Sequence, residues 1–160
     1  MSFLTKNDII EMAVKMEHNG YAFYDKALQR TDLNDATKSM LTKLRDDEIA
    51  HEKTFLALRS KIDKLDIAES SSWEEAQDYI ESVVESHVFS KPENAIHLAQ
   101  KAADAVELVN YAIQFEKDTI LFFFAFAKHV KGQKADAAID AIINEEASHI
   151  KKLRELLKAL

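Results

Sequence analysis

The sequence contains no cysteine, one proline and two glycines in 160 residues. Without cysteine there are no disulfides, thiolate nucleophiles, cysteine-based zinc sites or iron–sulfur and rubredoxin-type centres. The two glycines, Gly20 and Gly132, cannot build a GxGxxG fingerprint or a P-loop, which excludes nucleotide binding by those routes. So few turn residues also argue against a many-stranded β fold, which needs several tight hairpins. Basic residues are in deficit: 21 Lys and Arg against 28 Asp and Glu give a net charge of −7. That balance disfavours non-specific binding to nucleic acid or to an anionic membrane. The longest apolar run, Ile120 to Ala127, is eight residues, against roughly 20 for a bilayer span. The N-terminal MSFLTKNDII lacks a signal-peptide pattern. A cytoplasmic protein with no nucleic-acid or membrane partner is expected.

What is present is helical. Apolar residues make up 47% of the chain and charged residues 31%, enough for one soluble domain over residues 1–160 with a single core. Helical spacing runs through residues 8–30, via Ile9, Ile10, Ala13, Met16, Phe23, Tyr24 and Ala27. A turn at Thr31-Asp32-Leu33-Asn34 supplies N-cap oxygens, and a second helix is predicted from Asp35 to about Ile62. A third is predicted from about Asp104 to Val130, ended by Gly132 in the left-handed conformation, and a fourth from Lys134 to the C-terminus. Between the pairs, residues 63–103 read as a crossover of short helices. Ser72…Glu75 opens one as a capping box, and Ser90-Lys91-Pro92-Glu93 opens another with a serine cap. The fold class is all-α: a four-helix bundle of two antiparallel hairpins joined by that crossover.

The hairpins overlay. Ala13-x3-Glu17-x5-Phe23-Tyr24 matches Ala112-x3-Glu116-x5-Phe122-Phe123 at an offset of 99, and Glu48-x-x-His51 matches Glu146-x-x-His149 at 98. The chain therefore reads as a duplicated hairpin. A single Glu-x-x-His pair is weak, because this composition yields roughly 0.6 by chance. Position adds weight. Glu17 and Glu48 are 31 residues apart, centred on the first turn, and Glu116 and Glu146 are 30 apart, centred on Lys131 beside the second. Residues equidistant from a turn share a height, here about 20 Å down each hairpin at 1.5 Å per residue. Packing the hairpins gathers four carboxylates and two imidazoles. Four close carboxylates repel unless cations intervene, and two divalent ions cancel four charges. Oxygen and imidazole ligands without thiolate suit iron or manganese.

The segments MEHNGYAFY, DDEIAHEKTF, QFEKDTILFF and NEEASHIKKL, spread over all four long helices, resemble the rubrerythrin-type members of the ferritin-like di-iron carboxylate family. The resemblance implies two iron (or manganese) ions, with Glu17 and His51 terminal on one, Glu116 and His149 terminal on the other, and Glu48 and Glu146 bridging. It further implies reaction with hydrogen peroxide or O2, re-reduction by an external electron-donor protein, and a homodimer. Two features depart from the family. Thr119 stands where rubrerythrins carry an extra glutamate, and no rubredoxin domain is present. An iron-binding or ferroxidase module without dedicated peroxidase turnover is the alternative. A helical interaction protein that binds no metal leaves the matched heights unexplained.

Other residues carry two readings each. Tyr24, seven after Glu17, is a hydrogen-bond donor to a ligand carboxylate and electron source, or a packed core tyrosine. Asp47 and Glu145, each preceding a Glu-x-x-His glutamate, are partners of the ligating imidazoles or helix-surface charges. Phe122 to Phe124 and Phe126 mark a buried third helix or a dimer interface. Gly20 lets helices approach closely or leaves room for the oxidant. His18, His87, His97 and His129 lack a preceding Glu at the right spacing and are expected not to be ligands.

Overall fold

A computed structural model describes residues 6–62, 72–88, 90–129 and 133–160. Among the described residues it contains six helices and no strand: α1 Lys6–Ala27, α2 Asp35–Ile62, α3 Ser72–Ser86, α4 Pro92–Lys101, α5 Ala105–His129 and α6 Gln133–Ala159. The long helices pair as α1 with α2 and α5 with α6, and the pairs join through α2 against α6 and α1 against α5. Of the crossover helices, α3 packs on α5 and α4 mainly on α1. No helix among the described residues is long and apolar enough to cross a membrane.

The termini of these helices follow from local chemistry. Asn34 caps α2, its Oδ1 accepting the Thr37 N–H at 2.8 Å. Asp104 does the same for α5 through the Glu107 N–H at 2.9 Å, while the Glu107 carboxylate reaches back to the Ala103 N–H. The first helix stops at Ala27, short of the expected residue 30. Tight turn bonds from Gln29 N–H to Lys26 O and from Arg30 N–H to Ala27 O take over there. Arg30 then turns outward: its Nη1 donates to Ala99 O at 3.0 Å and its Nη2 to Asp32 at 2.6 Å, tying the end of α4 to the first turn. A second difference concerns α4. Lys91, not Ser90, is its N-cap, with extended backbone at φ −140° and ψ 150°. Proline drives the residue before it into that conformation, which is the one an N-cap needs. Ser90 accepts instead from the Asn94 side-chain amide. The Gly132 helix stop lies outside the described residues, as does the capping-box contact of Ser72.

The core is split along the bundle axis. One cluster joins Ile9, Ile10, Ala13 and Met16 of α1 to Phe55 and Leu58 of α2, Ile80 and Val83 of α3, Phe122, Phe123 and Phe126 of α5, and Ile139 and Ile142 of α6. The other joins Phe23, Tyr24 and Ala27 to Leu41 and Leu44, Ala95 and Ala99 of α4, Leu108, Val109 and Phe115, and Leu153. The start of α1 thus meets the end of α2, and the start of α5 the end of α6, so both hairpins are antiparallel. Each fully buried phenylalanine contributes about 1.5–3 kcal/mol, and six phenylalanines in these clusters have no exposed surface. Of the expected aromatic stretch, Phe122, Phe123 and Phe126 are core, whereas Phe124 is 60% exposed beside the exposed Leu121. Between the two apolar clusters lies a buried layer of polar side chains.

Candidate metal centre

That layer is assembled from one turn of each long helix. α1 supplies Glu17, α2 Glu48 and His51, α5 Glu116, and α6 Glu146 and His149, all buried. Residues three apart on a helix share a face, so α2 and α6 each present a carboxylate and an imidazole inward. The six form two overlapping quartets, Glu17–Glu48–His51–Glu146 and Glu48–Glu116–Glu146–His149, each with ligand-type atoms within 4.8 Å of one another. Glu48 and Glu146 belong to both. His51 Nδ1 lies 3.4 Å from Glu17 and 3.0 Å from Glu146, and His149 Nδ1 lies 2.9 Å from Glu146 and 3.7 Å from Glu116. The imidazoles stack with centroids 6.0 Å apart.

Around this set the hydrogen-bonding capacity is not met from within the protein. Both oxygens of Glu17, both of Glu48, Glu116 Oε2, Glu146 Oε1 and His51 Nδ1 are buried without a hydrogen-bond partner. Buried polar atoms left in this way cost free energy, and here they converge on two points between four carboxylates. The residues therefore fit a pair of divalent cations.

The outer edges of the imidazoles are held crosswise. His51 Nε2 meets Glu145 Oε2 at 2.7 Å, and His149 Nε2 meets Asp47 Oδ2 at 3.0 Å. Asp47 and Glu145 thus act as imidazole partners, each serving the histidine of the opposite hairpin. A carboxylate on Nε2 keeps the proton there and leaves the Nδ1 lone pair facing inward, the tautomer a metal ligand requires. Tyr24 also crosses between hairpins: its hydroxyl donates to Glu116 Oε1 at 2.6 Å. Gly20 serves close approach. A Cβ at that position would collide with the Phe115 ring and stand 2.9 Å from Glu48 Oε2.

Without cations the layer manages its charge with protons. Burial raises the pKa of Glu17, and that of Glu48 and Glu116 further, their carboxylate neighbours adding to it. Glu146 goes the other way: burial is outweighed by its polar neighbours Glu116, His149 and His51, which hold it below the usual carboxylate range. Burial also opposes charge on the histidines, but Glu146 with Glu17 raises His51 to about 12, and Glu116 with Glu146 raises His149 to about 10. Tyr24 is pushed up by burial and the neighbouring Glu116, so it stays a donor. Binding of cations would displace these protons.

Of the remaining histidines, His18 and His97 are exposed and the side chain of His129 lies outside the described residues. His87, just past α3, is 3% exposed. Its Nε2 lies 3.1 Å from Thr119 Oγ1, one turn along α5 from Glu116, and its ring stands edge-on to Phe115. Burial lowers its pKa to about 4, against the opposing pull of Asp118. Sequence spacing offered no signal for this contact, because His87 comes from the crossover and has no counterpart in the repeat.

A four-helix bundle with Glu and Glu-x-x-His repeated across its hairpins is the arrangement of ferritin-like carboxylate proteins. Residues 5–159 match the family model of the ferritin-like domain, and the chain belongs to that family. Among solved structures it is similar to a Thermotoga maritima protein assigned as a ferritin-like diiron-carboxylate protein, with TM-score 0.70 and 20% sequence identity. The alignment covers 99% of this chain and 97% of that one. No curated protein sequence matches the chain.

Proposed function

We propose that the chain is a dinuclear iron (or manganese) carboxylate redox protein of rubrerythrin type. In this reading Glu17 and His51 are terminal ligands of one ion, Glu116 and His149 of the other, and Glu48 and Glu146 bridge them. The observation that carries it is the pair of quartets sharing Glu48 and Glu146. When bound there, two reduced ions would supply two electrons and Lewis acidity to hydrogen peroxide or O2, with a separate electron-donor protein as the source of re-reduction. The chain's own residues do the rest. The apolar clusters on either side keep water away, Asp47 and Glu145 orient the imidazoles, and Tyr24 holds a proton at Glu116 Oε1. The same resemblance carries a homodimer, for which exposed Leu121 and Phe124 are the candidate contact.

A second reading, a ferroxidase or iron-buffering module, draws support from Thr119. Its hydroxyl is engaged by His87, and it offers no carboxylate one turn beyond Glu116 to which a metal could shift. Anaerobic loading with ferrous iron, followed by stopped-flow mixing with peroxide or O2, separates the two. About two ions per chain and much faster oxidation by peroxide are expected. Comparable or faster oxidation by O2 would favour the ferroxidase, and a failure to bind iron would overturn both.

A further inference from the structure

The two metal positions are braced unequally, although their ligands are equivalent. At the Glu116–His149 position, Tyr24, which is fully buried, donates to Glu116 Oε1 at 2.6 Å. The acid on His149 Nε2 is Asp47, whose side chain is 24% exposed and is tied in turn to Lys43 four residues earlier. Both ligands specific to this position therefore have a held partner. At the Glu17–His51 position, no residue outside the ligand set is seen to bond Glu17 among the described residues, and its neighbour is His51 Nδ1 at 3.4 Å. The acid on His51 Nε2 is Glu145, whose side chain is 58% exposed. No ion pair to Lys or Arg is seen for it among the described residues, and it must hold its place against water with a longer, more flexible side chain.

Pre-organised ligands bind more tightly, because less ordering remains to be done when the ion arrives. Lys43 pairs with Asp47 from one turn earlier on the same helix. It also keeps Asp47 in position, and the buried Tyr24 bond adds to that on the same side. The exposed partner has no such support.

We infer that the two positions fill in order, Glu116–His149 first and Glu17–His51 second, with Glu145 the positioning residue for the second ion. This rests on the dinuclear reading above and adds to it a tight ion and an exchangeable one. The exchangeable position is also linked to solvent, because its histidine contacts an exposed carboxylate.

The test is anaerobic titration of the metal-free full chain with Co2+, with anomalous scattering from crystals loaded at one equivalent. Wild type should bind in two resolved steps, and the single ion should lie at Glu116–His149. Glu145→Ala should leave the first step unchanged and weaken the second about 10- to 100-fold, the range seen when the outer partner of a metal-bound histidine is removed. Glu145→Gln, which keeps an acceptor without the charge, should recover part of that loss. Asp47→Ala should weaken the first step instead. Each variant also loses a contact to a buried imidazole in the metal-free state, so metal-free melts accompany the titrations, and a purely structural role would not change one binding step alone. An ion divided evenly at one equivalent, or found at Glu17–His51, overturns the order, and unchanged steps in Glu145→Ala overturn the role of Glu145. Wild type binding no Co2+ in the polar layer would overturn the dinuclear reading itself, a result distinct from the other two.

Discussion

One turn beyond its first glutamate, the α1–α2 hairpin has Gly20, whereas the α5–α6 hairpin has Thr119 at the equivalent position. Gly20 makes a notch in α1 that admits the Phe115 ring and the Glu48 carboxylate. Thr119 fills its place on α5 and reaches outward to His87 at the end of α3. A similar divergence separates Tyr24, bonded to Glu116, from Phe123, packed against Phe55. The inward-facing carboxylates and imidazoles are the same in both halves, and the residues that support them are not. Two ions need matched ligands, which duplication supplies. The neighbours differ because α4 covers one hairpin and α3 the other.

The largest expected effect comes from removing what the hairpins share. Glu48→Gln keeps the shape of a side chain common to both quartets and removes its charge. Iron-dependent stabilisation of wild type should be about 5 kcal/mol for two ions at 100 times their dissociation constants, and most of it should vanish in the variant. Because burial and neighbouring carboxylates raise the Glu48 pKa, the metal-free variant should be at least as stable as wild type. Thermal melts with and without ferrous iron measure both. A full iron-dependent rise in the variant would show that Glu48 does not bridge.

Gly20→Ala sharpens the contrast by making the first half resemble the second. Its Cβ would press on Phe115 and on Glu48, and overpacking of this kind costs about 1–3 kcal/mol. Urea denaturation of the metal-free protein should show that loss. The opposite change, Thr119→Gly, creates no clash and should destabilise through the lost His87 contact, the space left at a fully buried position and the helix cost of glycine.

The smallest effect concerns His87. Its folded pKa of about 4 lies below the ordinary 6.5, so the unfolded chain takes up the proton first as the pH falls. The folded state therefore keeps its full stability above about pH 6.5 and loses it progressively toward pH 4. The slope is at most about 1.4 kcal/mol per pH unit for one proton. His87→Leu should flatten the dependence of metal-free stability on pH by about 1 kcal/mol between pH 6.5 and 5.5. An unchanged slope would mean that another group titrates there.

The long helices were legible from apolar periodicity, and their ends fell within a few residues of those expected at the Thr31–Asn34 turn and near Asp104. The end of α1 was not, because Arg30 leaves the helix to bond carbonyls of Ala99 and Gln100, 69 and 70 residues away in sequence. The six inward residues were legible through symmetry: equal distances from two turns place side chains at one level, whatever the details of packing. Tyr24 was legible as a donor to a ligand carboxylate, seven residues from Glu17, but not as one that reaches across to Glu116 of the other hairpin. Asp47 and Glu145 were legible as candidates by their place in the repeat. Their crossed pairing needed α2 to lie against α6.

By itself the sequence determined the helices, the duplicated hairpin and the convergence of four carboxylates and two imidazoles, because helical period and distance from a turn are local quantities. Tertiary structure decided which acid holds which histidine, what the notch at Gly20 admits, and that His87 bonds Thr119 one turn from Glu116. Those depend on contacts between segments 32 to 102 residues apart, where helix period imposes no register and only the packing of one element on another selects the partner.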